Sequence, residues 1–385
     1  MFRFLTAGES HGPCLTAVIE GLPAGLAIDI AEVNKDLARR QQGYGRGGRM
    51  KIEKDQVEVL SGMRFGQTLG SPLTLSIRNR DWENWQEKMS PTGEPAGEAV
   101  TSPRPGHADL AGLLKYERQD VRDILERASA RETAARVAVG AVAKQLLERA
   151  GIAVFSHVVN IGGVGIDVKL TYTATELADK LEDSELSCAD SIAEAKMKEA
   201  IRVAKEKGDT LGGIFEVVVT GLMPGLGSHV HWDRRLDMRL GGALMSIQAI
   251  KGVEFGAGFG FAALPGSQSH DEIFFDAEEG YFRGSNRAGG VEGGITNGQD
   301  IIVRSVMKPI PTLMTPLASV DITTKNAVMA NTERSDVCAV SAAAVVGEAM
   351  AAIVIAEAVL EKFGGDSIGD MVQAVERYRT RLGVC

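Results

Sequence analysis

The sequence predicts an α+β fold in layers, with two long alanine-rich helices buried between β-sheets. Three observations lead there. The runs "DVRDILERASARETAARVAVGAVAKQLLERAG", from Asp120, and "DVCAVSAAAVVGEAMAAIVIAEAVLEKFGG", from Asp336, carry small residues around much of their circumference, so neighbouring layers can approach closely on more than one side. The apolar strands "IFEVVVTGL", "GVEFGAGFGFAAL" and "DIIVRSVMKPI" can cover them. A chain of 385 residues that is 44% hydrophobic has enough apolar material for a substantial core.

Taken in order, "MFRFLTA" reads as a strand, "GESHGP" (Gly8 to Pro13) as a turn, and "CLTAVIEGL" as a second strand. The helix "IAEVNKDLARRQQ" follows, with Asp29 as its cap. Glycines interrupt it at "GYGRGG", which matches the spacing GxGxxG, but a helix precedes it and the strand "VEVLSG" follows. That order is the reverse of a dinucleotide-binding turn. Asn79 to Pro105 is irregular and ends in "SPRPGHADL". The first long helix stops at Gly151. Asp167 to Asp209 is charged and helical and reads as a peripheral insertion. The second long helix closes on a glycine pair at about Phe363. Its length approaches a membrane span, but Glu348 and Glu357 would each cost about 2 to 3 kcal/mol at a bilayer centre, so a buried core helix is predicted. Each half of the chain runs from strands into an alanine-rich helix, which hints at pseudo-duplication within one domain over residues 1–385.

The formal net charge of −9 argues against non-specific binding to nucleic acid or to an anionic membrane. Between Leu37 and Ile52, however, stand Arg39, Arg40, Arg46, Arg49 and Lys51 with no acidic residue, a positive island suited to a small polyanion. Cys14, Cys188, Cys338 and Cys385 form no CxxC pair and sit near no histidine cluster, so no metal site is expected. Polar residues follow the start too soon for a signal peptide, which predicts a cytoplasmic protein with reduced thiols. In "HVH", His229 and His231 fit one side of a strand in a structural or interface role.

Five stretches carry polar groups that exposure alone does not call for: "GESHGP", "RRQQGYGRGGRM", "RPGHADL", "ERASARETAARVA" and "NTERSDVCAVSAAA". On a continuous helix, Arg127 and Arg131 share a face on either side of Ser129, and tight packing there favours an anion site over a solvated stripe. In "KPIPT" two prolines stiffen the turn that presents Lys308 and Thr312. "SNRAGGVEGGI" has four glycines between Gly289 and Gly294, which would let a flat ring or a phosphate lie against main-chain amides, or would make a mobile turn.

Together these stretches, in this order from Phe4 to Gly365, resemble the chorismate synthase family. The resemblance implies a carbon–oxygen lyase that removes phosphate and a ring proton from 5-enolpyruvylshikimate 3-phosphate, a 1,4-anti elimination giving chorismate. This is the last common step of the shikimate pathway to aromatic amino acids. It implies reduced FMN as cofactor without net redox change, and a homotetramer with helices sandwiched between antiparallel sheets. By the same resemblance His11 protonates the departing phosphate with Ser10 fixing its position, His107 donates a proton toward the flavin, and Asp336 helps take the proton passed to flavin N5. Arg127, Ala128, Ser129, Gln248, Ala249, Gly293, Lys308, Pro309, Ile310, Pro311, Thr312 and Arg334 bind FMN. Arg40, Arg46 and Arg49 meet substrate anions, or NADPH in members that reduce their own flavin. A flavin- or phosphate-binding protein without turnover, or a phosphatase, would use part of the same set.

Overall fold

In the strand Cys14–Glu20 (β2), Leu15, Ala17 and Ile19 are buried in alternation, as a strand with one face on a core requires. It pairs antiparallel with Arg3–Ala7 (β1) and with Leu73–Arg78 (β4), and β4 in turn pairs with Val57–Ser61 (β3), giving the order β1-β2-β4-β3. A second antiparallel sheet joins Ala153–Ile161 (β5), Val164–Gly165 (β6), Gly213–Thr220 (β7), Ile250–Phe255 (β8) and Ile301–Met307 (β9) in the order β8-β9-β7-β5-β6. The computed structural model describes residues 2–47, 52–166, 174–181, 183–277, 280–333 and 335–383.

Helices pack between and around the sheets. Ile30–Gln41 (α1) starts where Asp29 accepts a hydrogen bond from the Ala31 N–H at 2.8 Å. Asp109–Tyr116 (α2) and Arg122–Ala128 (α3) share a small apolar core of Leu113, Val121 and Leu125. Thr133–Glu148 (α4) lies on the first sheet, and Val340–Phe363 (α9) lies on the second. Ala174–Leu181 (α5), Ser191–Glu206 (α6), Leu236–Met245 (α7), Gly266–Ser269 (α8) and Ile368–Leu382 (α10) complete the set, and α6 sends Met197 and Ile201 into the main core.

The contact between α4 and α9 is the centre of the molecule, and two glycines allow its closeness. A Cβ on Gly140 of α4 would overlap the Cβ of Ala349, and one on Gly347 of α9 would enter the Phe215 ring on β7. This is the layered α+β arrangement expected from the small residues on both helices. Length and composition would let α9 cross a membrane, yet 89% of its apolar window is buried inside the protein.

Two expected elements differ. The first long helix is broken at Ser129, whose backbone is extended (φ −63°, ψ 141°) and whose hydroxyl accepts from the Arg131 N–H at 3.3 Å. This local side-chain bond competes with helix continuation. Arg127 and Arg131 therefore do not share a face: Arg127 is exposed and Arg131 is buried. The strand "GVEFGAGFGFAAL" ends at Phe255, where Gly256 (φ 55°) turns the chain into a 3-10 segment, Gly258–Ala263.

Candidate active site

The turn after β1 reverses at Gly8 (φ 108°), where a side chain would strike the Cys14 carbonyl. It places Ser10 in the interior and His11 at its edge. The Ser10 N–H donates to the Glu126 carbonyl at 3.0 Å, and the His11 N–H donates to Glu126 Oε2 at 2.8 Å. His11 Nδ1 lies 2.9 Å from Glu126 Oε1, and the ring stacks on Trp85 with centroids 4.1 Å apart. Trp85 is held by Asp81 at 3.2 Å, and Arg122 donates to Glu126 Oε1 at 2.9 Å while lying over the Trp85 ring. Burial would raise the Glu126 carboxyl, but hydrogen bonds and charge from His11, together with Arg122, hold it below its ordinary value.

From this turn, contacts run without a gap to the second histidine. Ser10 and Ser129 share a hydroxyl hydrogen bond at 3.2 Å. Arg127, the residue before Ala128 at the end of α3, donates to the carbonyls of Gly8 and Thr6, both at 2.9 Å. Thr6 donates to Glu132 at 2.9 Å, and Gln248 donates to the other Glu132 oxygen at 3.2 Å. Next to Gln248, the Ala249 carbonyl accepts from the Lys308 N–H at 2.9 Å, and Ala249 itself takes φ 67°, a left-handed conformation uncommon for a residue with a Cβ. The Lys308 ammonium then reaches the Gly106 carbonyl beside His107. After Lys308 come Pro309 and Pro311, with the Ile310 carbonyl between them bound by Thr210 at 2.8 Å. Thr312 closes the turn by accepting from Arg104 at 3.0 Å.

His107 repeats the arrangement seen at His11. Its Nδ1 makes a short contact with Asp109 Oδ1, and Asp109 is fully buried at the start of α2. Arg104 donates to Asp109 Oδ2 at 2.9 Å. Burial would raise the Asp109 carboxyl, but hydrogen bonds from His107 and Arg104 hold it far below the usual carboxylate range. Because α2 and α3 pack on each other, the carboxylates that hold the two imidazoles ride on one small helical unit.

The positive island finds carboxylates from other parts of the chain. Arg39 makes paired hydrogen bonds to Glu348 of α9 at 2.8 and 3.0 Å, and Lys144 reaches the same carboxylate at 2.6 Å. Asp55 accepts from Arg40 at 3.0 Å and from Arg131 at 2.6 Å, so Arg131 is an internal ion partner and not the anion site expected from the sequence. Arg131 also donates to Asn79 at 2.9 Å, and Asn79 donates to the Gly12 carbonyl at 2.8 Å, tying the island to the His11 turn. Burial lowers Arg40 to about 10; Asp55 opposes this, while nearby Arg131 and Arg46 add to it. Arg46 pairs with Asp336 at 2.8 Å, and the Gly47 N–H donates to the same carboxylate at 2.6 Å. Burial pushes the neighbouring Cys338 thiol up to about 11, out of reach of nucleophilic use near neutral pH.

Several expectations fall elsewhere. Gly293 lies exposed at the turn of the hairpin Val291–Glu292 and Ile295–Thr296, which is packed beside Arg235 and Leu236. Arg49 and Arg334 lie outside the described residues. His229 and His231 are exposed in a bend, not a strand, and His231 pairs with Asp233 at 2.6 Å. Among the described residues no group of three His, Cys, Asp or Glu side chains could hold a metal ion. Glu126, Asp109, Arg104 and Trp85 were not chosen from the sequence as site residues. The only signal was their place in the chain: Glu126 within "ERASARE", Arg104 and Asp109 within "RPGHADL", and Trp85 within the long irregular segment.

For a reduced flavin, which offers N–H donors and a phosphate, the residues present fit. Gln248 Oε1 is buried without a hydrogen-bond partner, and Arg127 spends its described hydrogen bonds on neutral oxygens, with Glu132 3.8 Å away. A family model described as chorismate synthase matches residues 2–360. The chain is 58% identical to the chorismate synthase of Desulforamulus reducens over 381 residues, covering 98% of each. It is 58% identical to that of Geobacter sulfurreducens over 387 residues, again covering 98% of each. A solved structure titled "Crystal Structure of Chorismate Synthase" matches with a TM-score of 0.80 at 47% identity, covering 99% of this chain and 98% of the other.

Proposed function

Because the chain belongs to the chorismate synthase family, we propose that it converts 5-enolpyruvylshikimate 3-phosphate to chorismate with reduced FMN bound. The reaction is a 1,4-anti elimination of phosphate and a ring proton without net redox change. What supports this most is the unbroken path of contacts from Ser10 and His11, through Arg127, Ser129, Gln248 and Ala249, to Lys308 and His107. Residues far apart in sequence, each selected for the same chemistry, meet along it.

When bound, the reduced flavin supplies electron density that eases departure of a hydrogen that is not acidic. Gln248, whose Oε1 is unpartnered, would hold the flavin ring, and Arg127, Lys308 and the turn to Thr312 would hold its anionic end. His11, protonated on both ring nitrogens, gives the proton on Nε2 to the leaving phosphate. His107 and Asp336 handle the remaining proton transfers. Arg40 and Arg46 exchange part of their pairing with Asp55 and Asp336 for the substrate's phosphate and two carboxylates, and would serve NADPH in the same way. The working unit is a homotetramer in the cytoplasm.

Anaerobic protein with dithionite-reduced FMN is expected to release phosphate from the substrate and form a ring diene. Binding without release would make it a flavin- or phosphate-binding protein, and a hydroxyl product would make it a phosphatase. Anaerobic mixing with NADPH reads whether the chain reduces its own flavin, by bleaching of the flavin absorbance.

A further inference from the structure

Glu126 accepts from the His11 main chain, stands against the His11 ring and accepts from Arg122, all within 3.0 Å. We propose that Glu126 is the positioning residue of this site: it keeps one hydrogen on Nδ1 of His11, so that the ring takes up its second proton at Nε2, facing substrate, and gives that one away. This rests on the role given to His11 above. An ionised carboxylate has only acceptors, so the ring nitrogen 2.9 Å from Oε1 and 3.0 Å from Oε2 is the donor. The backbone N–H of the same residue donates to Oε2, so one carboxylate clamps main chain and ring together. Trp85, 28° from the imidazole plane, closes one face of the ring and is itself fixed by Asp81.

A structural ion pair would be complete with Arg122 alone. The added grip on the main-chain N–H and the ring Nδ1 of His11 is what such a pair does not need. Hydrogen bonds and charge from His11, with Arg122 adding to them, keep the carboxyl ionised and therefore unable to donate. At His107 the unit of imidazole, buried carboxylate and arginine recurs, but there Arg104 Nη2 also approaches Nδ1 at 3.1 Å. Of these two histidines, His11 is the one whose Nδ1 is described against acceptors alone.

The test uses the full-length protein labelled with 15N-histidine, its His11 signals assigned by their loss in His11→Gln. In the wild type, Nδ1 is expected to carry the hydrogen in the neutral ring; a neutral ring with hydrogen on Nε2 overturns the proposal whether or not any variant folds. In Glu126→Gln the tautomer signature is expected to change, and kcat to fall about 10- to 100-fold, part of the roughly 10²- to 10⁴-fold a general acid supplies. KM and FMN affinity should stay within about twofold, since binding does not depend on which nitrogen carries the proton. Glu126→Asp, which restores the charge, is expected to recover part of kcat. An unchanged His11 signature in Glu126→Gln overturns the positioning role. A changed signature with undiminished kcat upholds it and removes instead the assignment of His11 as proton donor.

Discussion

At His11 the ring has one nitrogen against Glu126 and one face against Trp85, which leaves Nε2 and the opposite face for a ligand. The groups proposed to face the flavin, Gln248 and Lys308, are held by Glu132 and by the Ala249 carbonyl and Gly106, and none of their described bonds passes through the imidazole. Rate and cofactor binding should therefore separate. His11→Ala is expected to lower kcat by about 10²- to 10⁴-fold, the usual contribution of a positioned acid, while a flavin titration gives an affinity within about twofold of wild type. Parallel losses of affinity and rate would make His11 a structural part of the turn.

Between elements, the packing of α4 on α9 decides the sign of a substitution that helix propensity alone would misjudge. On an exposed helix Gly→Ala gains about 1 kcal/mol. At Gly140 the added methyl overlaps Ala349, and forcing extra volume into a packed interior costs about 1 to 3 kcal/mol. Gly140→Ala should thus lower stability by up to about 2 kcal/mol in urea unfolding; a clear gain would mean that the helices part easily. The same interface buries charge. Burial would raise the Glu348 carboxyl, but Lys144 and Arg39 hold it well below its ordinary value of 4.5, and Ser156 adds a hydrogen bond at 2.9 Å. A carboxylate whose folded pKa lies below its unfolded one contributes stability above the unfolded value and loses it as pH falls through the folded one. Glu348→Gln, which leaves two half-buried cations with Asp36 as their remaining partner in this cluster, is expected to cost about 1 to 3 kcal/mol at pH 7. The difference from wild type should begin to narrow below about pH 4.5 and keep shrinking toward pH 3. A difference that stays constant across that range would show that charge at Glu348 is not what holds the helices.

Over the whole molecule, the layers were legible because small residues around a full helical circumference have few uses other than burial between layers. The break at Ser129 was not, since a hydroxyl that caps a turn looks the same in sequence as one facing solvent along a helix. Nor was the pairing of Arg39, Arg40 and Arg46 in the positive island: its run of cations stops just before Asp55, and the other partners, Asp336 and Glu348, come from the far end of the chain. The histidines could be chosen from their glycine-framed turns, whereas the carboxylates that orient them are ordinary helix residues until the fold brings them together. That dependence on tertiary contact has a measurable consequence. Groups at positions 10, 107, 127, 248 and 308 converge only in the folded chain, so FMN should bind the native state and not the unfolded one. At one hundred times its dissociation constant, FMN is expected to raise the free energy of unfolding by about 2.7 kcal/mol, read as a higher urea midpoint at fixed protein concentration. Arg127→Ala should weaken FMN binding, so the rise should shrink at the same FMN concentration. A midpoint that does not move with saturating FMN would mean that these residues do not together form a flavin site.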